Sequence, residues 1–574
     1  MRGALYSAQR CAALALAAAV FVGCTSSARQ AEVGGPPAAS SAQRKAITVA
    51  LPAELNALAT DLGVFGALSR PTSYVHAFLH SYVTVRDDKD DASPQAAAEL
   101  PSLEAGTWKL LDDGTMAVTW KLRRGIRWHD GTEFTSADIR FGWQVAADPA
   151  TPLSGIRSVA RFIDDVETPD PYTAVVRWRQ PSQFGGEMAR GQLDPLPRHV
   201  LEAAFNRDKE SFVAQPYFTS TDVFVGAGPF RVVAWERGSH IVAEAFDGYF
   251  LGRPKLDRVT FRFMQDQRVV LSSLLAEAVD IAHTALGFEE ATLVQQSWAG
   301  SGGGTVLMAP SNYRHILPQA RSSEAQPADL LDQRVRKALM YALDRGQLVE
   351  AVFPGTNLVA HSIGAPGTPI GDAIERQLVR YPYDQARASG LLEEVGWRRG
   401  GDGILTKGGA RFQIELRSQG LPEIDKVFAV MQQDYRRVGI DLVLLDLPGT
   451  QNPQDYAVYP GLVISGLPTN FPSFGARWHS RSIARAENRW AGSNSSGYSS
   501  PALDRALDAI DRSIQRDELL GHWSDAWRTM SDDVAVMSMY YFPQPTAVRK
   551  GLTGVLPSNP FGSPTWEVYR WDIQ

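Results

Sequence analysis

Cysteine is almost missing from this 574-residue chain, which carries only Cys11 and Cys24. No disulfide framework can staple the fold, so its stability must come from a buried apolar core. A basic excess is missing too: 57 Lys and Arg stand against 63 Asp and Glu, for a net charge of -6. With no basic patch standing out, this balance excludes a general nucleic-acid binder, which must neutralise phosphates. The familiar catalytic signatures are also absent. There is no Gly-x-Ser-x-Gly elbow, no His-Glu-x-x-His pair and no phosphate-binding loop, and "GAGPFR" lacks the last glycine and the helix of a dinucleotide site. Beyond the first two dozen residues no apolar run is long enough to span a bilayer.

What is present begins at the N-terminus, where Arg2 and Arg10 precede the apolar run "CAALALAAAVFV" and the stretch "GCTSS". The run falls short of the ~20 residues of a membrane span and reads as a secretory leader over residues 1–23. "FVGC" resembles a bacterial lipobox, which implies that Cys24 is acylated, palmitate being the expected chain, and becomes the new N-terminus. Losing residues 1–23 removes two arginines and no acid, taking the charge from -6 to -8. Each buried CH2 of an acyl chain adds about 0.8 kcal/mol, so several chains tether a protein that does not itself enter the membrane. Residues 24–45, rich in Ser, Ala, Gly, Pro and Gln, read as a flexible tether. Folding should start at "AITVAL", from Ala46.

The body, in a chain 44% hydrophobic and 21% charged, mixes strands and helices. "MAVTWKLR", "AVVRWR" and "RVTFRFM" alternate as strands do. "QRVRKALMYALDRGQLVEAVF" places Val335, Leu339, Ala342, Leu343 and Val349 near helical spacing. "SPALDRALDAIDRSI" predicts a helix with Ser500 as N-cap, Pro501 at its first position and Asp504 near its positive end. "SGGGT" (Ser301–Thr305) and "RSSEAQPAD" (Arg321–Asp329) are loops or crossings between lobes. Arg477, Arg481, Arg485 and Arg489 recur every four residues, a solvated stripe if helical.

The densest chemistry lies in "LRRGIRWHDGTEFTSADIRFGW", Leu122–Trp143. "HDG" is first a turn, since glycine accepts positive φ, anchored by Ile126, Trp128 and Phe134. Thr135 with Asp138 forms a capping box ahead of Ile139 and Trp143. His129 and Asp130, adjacent on a turn, lack the third group and nucleophile that catalysis needs.

This segment resembles the hallmark of the family 5 extracellular solute-binding proteins, the oligopeptide, dipeptide and nickel receptors of bacterial ABC importers. Further matches follow in order: "GAGPFRVVAWERGSHIVAEAFDGYFLGRPKLDRVTFRF", "DQRVRKALMYALDRGQLVEAVFPG", "YPYDQARASGLLEEVGW" and "GYSSPALDRALDAI". The resemblance covers residues 46–574. It implies an α/β, two-lobed, periplasmic-binding-protein-like fold of the type II, Venus-flytrap kind, with an extra subdomain. Lobe I would take 46–85, 226–310 and 535–574, the extra subdomain 86–225, and lobe II 311–534. The implied function is to hold a peptide or peptide-like solute between lobes and deliver it to an ABC permease and its ATPase. The protein would be a non-enzymatic monomer without cofactor or resident metal, tethered by lipid on the outer or periplasmic face of the membrane.

Relatives bind a peptide's terminal ammonium through an Asp in a Gly-Trp-x-Ala-Asp-Tyr-x-Asp-Pro segment. Here "SGLPTNFPSF" puts Asn470 at that Asp, which removes the charge and, with it, about half the strength of the bond. Either the solute lacks a free amine or another acid, such as Asp61 or Glu54, substitutes. The candidate contacts are Gly466, Thr469, Asn470, Phe471 and Trp478, with His80 and Tyr82 from the other lobe. Phe474 and Trp490 are further apolar wall candidates. His76 and His80, at i and i+4, have metal-ligand spacing but number only two, so packing is the default. Two readings compete with peptide capture: an amine-free solute such as a metal chelate or sugar, and a sensor that signals on closing.

Overall fold

The computed structural model describes residues 44–59, 70–88, 91–151, 157–188, 192–447, 453–468, 477–556 and 566–574. The leader, Cys24, Asp61, Thr469, Asn470, Phe471 and Phe474 lie outside these residues. Among the described residues no helix is long and apolar enough to cross a membrane.

Ten strands form one mixed sheet: β1 (Ala46–Leu51), β2 (Phe230–Glu236), β3 (His240–Ala245), β4 (Arg258–Phe263), β5 (Ile281–His283), β6 (Gly304–Pro318), β7 (Gln413–Ser418), β8 (Asp441–Asp446), β9 (Leu462–Pro468) and β10 (Met537–Arg549). Their order across the sheet is β8-β7-β9-β6-β10-β5-β1-β4-β3-β2. Period-two alternation packs both faces of each half. In β1, Ile47, Val49 and Leu51 enter one core, with Phe78, Phe230 and Phe261, while Ala50 enters another, with Val270, Leu274 and Trp298. At the other end Ile316 of β6 joins Leu416 and Ile464, whereas Tyr313 and Leu317 face Trp478, Trp523 and Trp527.

The halves are joined by β6 and β10. Thr305–Leu307 of β6 lie opposite Thr546–Val548 of β10, the same β10 residues that pair with β5. Asn312–Pro318 of β6 take β9 on their other edge, while Asn312–Ile316 stay paired with β10. In between, Met308 opposes Pro545, Pro310 opposes Pro543, and the register shifts between Pro310 and Asn312. Proline has no N–H to donate, so the ribbon is thinnest in hydrogen bonds where it passes from one half to the other. The two packed halves thus share one continuous sheet through the β6–β10 ribbon.

A separate four-stranded antiparallel sheet runs Trp108–Leu110, Met116–Lys121, Thr173–Trp178, Ile163–Asp170. Its core contains Trp120, Trp128, Trp178 and Ile139, the last from helix Ser136–Ala147. The capping box is present, with the Thr135 N–H donating to Asp138 Oδ2 at 2.8 Å. The predicted long helix over Gln333–Phe353 is instead two, Gln333–Ala342 and Arg345–Val352. Asp344 breaks it by capping the second, its carboxylate accepting the Gln347 N–H. Ser500 caps helix Pro501–Arg512 as expected.

Candidate functional site

Strand β9 supplies the most open backbone near the bridge. It is paired along β6 as far as Pro468, but β7 meets it only at Leu462 and Val463 and ends at Ser418. Ser465, Gly466 and Leu467 therefore present an edge with no strand beside it among the described residues. The gap lies beyond the carboxyl end of β7 and alongside the last residues of β9, toward the strand ends at which open α/β sheets take ligands. Helix Ile424–Arg437 starts beside it.

Two charged side chains stand there. Arg314, opposite Gly466 in the ladder, donates from Nε to Glu423 Oε1 at 2.8 Å. The Tyr540 hydroxyl donates to the same oxygen at 3.1 Å. Burial, and secondarily Glu423, holds that phenol far above its usual range. The guanidinium lies 5.3 Å from the Phe542 ring centroid. It fits because Gly466 has no side chain: a Cβ there would stand 2.1 Å from Arg314 Nη1. The side chains are only 13% and 5% exposed, so this ion pair is well shielded.

On the opposite face of β6, His315 stacks on Tyr313 at 5.0 Å and meets Trp478 edge-on at 5.8 Å. Burial, with the charges of Arg477 and Arg314 adding to it, pushes His315 down to about 3. Trp478 is itself buried. Gly466 and Trp478 thus fall on two faces of one strand pair.

His80 and Tyr82 sit elsewhere, buried in the body built on β1. His80 Nε2 lies 3.0 Å from the Leu58 carbonyl, and its ring is edge-on to His76 at 5.3 Å. Among the described residues no three His, Cys, Asp or Glu side chains gather as a metal site. Glu54 is engaged too, accepting from Trp235 Nε1 and the Gly238 N–H at 3.0 Å each. The arginine series is no helical stripe. Its chain runs through two short 3-10 turns, Ser480–Ser482 and Ala486–Asn488, and Arg481 pairs with Asp508 at 2.8 Å.

The hallmark turn is a structural clasp. The His129 N–H donates to the Gly226 carbonyl at 2.8 Å, and Nε2 bonds the Gly228 carbonyl at 3.0 Å. Asp130 points to a different partner, His199, at 2.7 Å. Histidine and aspartate do not form a dyad. A half-open cavity of about 220 Å³ lined by Gln319, Arg336 and Tyr498 lies at the far end of β6, away from the bridge.

Arg314 and Glu423 escaped the sequence reading. The only local signal is a charge at the centre of the otherwise strand-like "NYRHILP".

The profile of the bacterial extracellular solute-binding proteins, family 5 middle, matches residues 93–483. The chain belongs to this family. It is 24% identical over 532 residues to the oligopeptide-binding protein AppA of Bacillus subtilis (strain 168), covering 86% of this chain and 88% of that one. Its fold is that of the oligopeptide binding protein from Thermus thermophilus complexed with a pentapeptide, with TM-score 0.69, 21% identity, and 92% and 96% of the two chains covered. NikZ from Campylobacter jejuni, in complex with Ni(L-His), superposes with TM-score 0.70 at 19% identity over 92% of this chain and all of that one. The two-lobed α/β architecture is thereby shared with family 5 binding proteins whose structures hold quite different solutes.

Proposed function

We propose that this family 5 protein is the substrate-binding lipoprotein of an ABC importer, tethered through Cys24, that encloses a peptide or peptide-like solute and passes it to a membrane permease. The carrying observation is the open edge of Ser465–Leu467 beside the proline-paired bridge. An extended solute laid there gains main-chain hydrogen bonds that tolerate many side chains. Lobe I comprises 46–85, 226–310 and 535–574, lobe II 311–534, and the extra subdomain 86–225. Closing about β6 and β10 brings the lobes against the solute, which stabilises the closed state by touching both. Thr469, Asn470 and Phe471, which follow β9 in the chain, are proposed to complete the surroundings, whereas Trp478, His80 and Tyr82 are each buried in a core and take no part.

Support comes from the family membership, from AppA over most of the chain, and from a topology with two bodies and one bridge. The test is mass spectrometry of small molecules that co-purify with residues 25–574, followed by calorimetry with each. Peptides among them support the reading; a sugar or chelate alone would overturn it. With Asn470 where relatives carry an acid, N-acetylated and free peptides should bind alike. A strong preference for the free amine would mean that another acid supplies the anchor.

A further inference from the structure

Arg314 is only half used by its visible partners. Its Nε is committed to Glu423 Oε1 and the guanidinium is within hydrogen-bond reach of the Tyr540 hydroxyl, but neither Nη1 nor Nη2 has a carboxylate or carbonyl partner among the described residues. Glu423 Oε2 is buried and, among the described residues, hydrogen-bonds to nothing. A guanidinium carries its donors in a planar fork whose outer pair matches the two oxygens of a carboxylate. Gly466 makes room for that fork: Nη1 occupies the space where its Cβ would be, against the β9 edge that no strand pairs among the described residues. Two unrelated features, a bare strand edge and an incompletely partnered cation, meet at one residue. Glu423 holds the guanidinium from behind through Nε, and Tyr540 donates to that same carboxylate oxygen, so the orientation is set before any solute arrives.

We propose that Arg314 anchors a carboxylate of the solute, with Glu423 as the positioning residue that aims it across Gly466. The assignment rests on reading the β9 edge as part of the solute site, and it narrows the solute to one carrying a carboxylate next to an extended segment.

The experiment is calorimetry on residues 25–574 with three probe sets: a defined pool of short peptides, the same pool amidated at the C-terminus, and a pool of non-peptide carboxylates. Each is run on wild type, on Arg314→Lys and on the double variant Arg314→Met with Glu423→Gln. The double variant removes both charges together, so no buried charge is stranded, and an unchanged thermal midpoint certifies its fold. The expected result is binding of the free peptides, at least about tenfold weaker binding of the amidated pool, and no such difference in the double variant. Arg314→Lys should keep part of the preference. Equal binding of free and amidated peptides by wild type would overturn the anchor while leaving peptide capture standing. Binding of non-peptide carboxylates alone, lost in the double variant, would support the anchor and overturn peptide capture. Silence from all three pools on wild type would overturn both.

Discussion

His129 Nε2 lies 3.0 Å from the carbonyl of Gly228, so the neutral ring carries its proton on Nε2 and points it at that oxygen. Its Nδ1 is buried and has no hydrogen-bond partner among the described residues, so a second proton has no acceptor to face. Burial accordingly pushes His129 down to about 4.

The sign of the pH dependence follows. With the folded-state value depressed and the unfolded one ordinary, the unfolded chain binds the proton first as pH falls through about 6.5. The stabilisation is complete above that value and fades toward pH 4, by roughly 3 kcal/mol at most for this one group. Urea titrations from pH 7 to 4 on wild type and His129→Gln should show the steeper loss in wild type; parallel curves would refute this account.

Gly228 and Gly466 make opposite predictions. A Cβ on Gly228 would stand 2.4 Å from the Leu79 carbonyl carbon, which is backbone and cannot step aside. Gly228→Ala should therefore lower stability by about 3 kcal/mol or more, read as a fall in urea midpoint. At Gly466 the obstacle is the flexible end of Arg314. Gly466→Ala should keep its thermal midpoint within a few degrees yet bind solute more weakly, because the guanidinium is displaced.

Phe288, which opens helix Phe288–Ser301, meets Phe353 edge-on at 5.3 Å, while Glu289 pairs with Lys426 at 3.0 Å. Each contact joins one half of the molecule to the other. The exposed ion pair contributes at most about 1 kcal/mol, so Lys426→Ala should change little. Phe353, buried and also against Tyr540 and Phe542, is different: Phe353→Ala should lower stability by about 3 kcal/mol or more, read as a fall in urea midpoint.

Ser500 accepts the Leu503 N–H at the start of helix Pro501–Arg512. Ser500→Ala should cost about 1 kcal/mol, measured by thermal unfolding, and leave solute affinity unchanged.

What the sequence disclosed was what neighbours in the chain decide. The Thr135 and Ser500 caps, the strand at Met116–Lys121 and the tight turn at Gly131 each depend on residues a few positions apart. The helix over Gln333–Phe353 was misread at one point because Asp344 satisfies two roles, a periodic surface position and a cap, and the cap prevailed. Spacing of four made the arginines from Arg477 to Arg489 look like a stripe, but the short turns there do not carry helical geometry that far. Arg314 and Glu423 are 109 residues apart, joined only because β6 and the helix after β7 converge. No local pattern records that meeting. The family resemblance supplied the two-lobed α/β fold, but the charge pair at Gly466 appears only once the strands are placed.

The bridge has a consequence for how such a receptor changes over time. Pro310 of β6 and Pro543 of β10 face each other in adjacent strands, one near each end of the stretch proposed as lobe II. Everything between them is one uninterrupted stretch that enters and leaves through a single doorway. Gly466, Arg314, Glu423 and the β9 edge all lie inside it. A single recombination event with its ends at that doorway would exchange the proposed anchor at Arg314, Glu423 and Gly466 as one unit, while Ile47, Val49 and Phe261 of the other half's core would stay as they are.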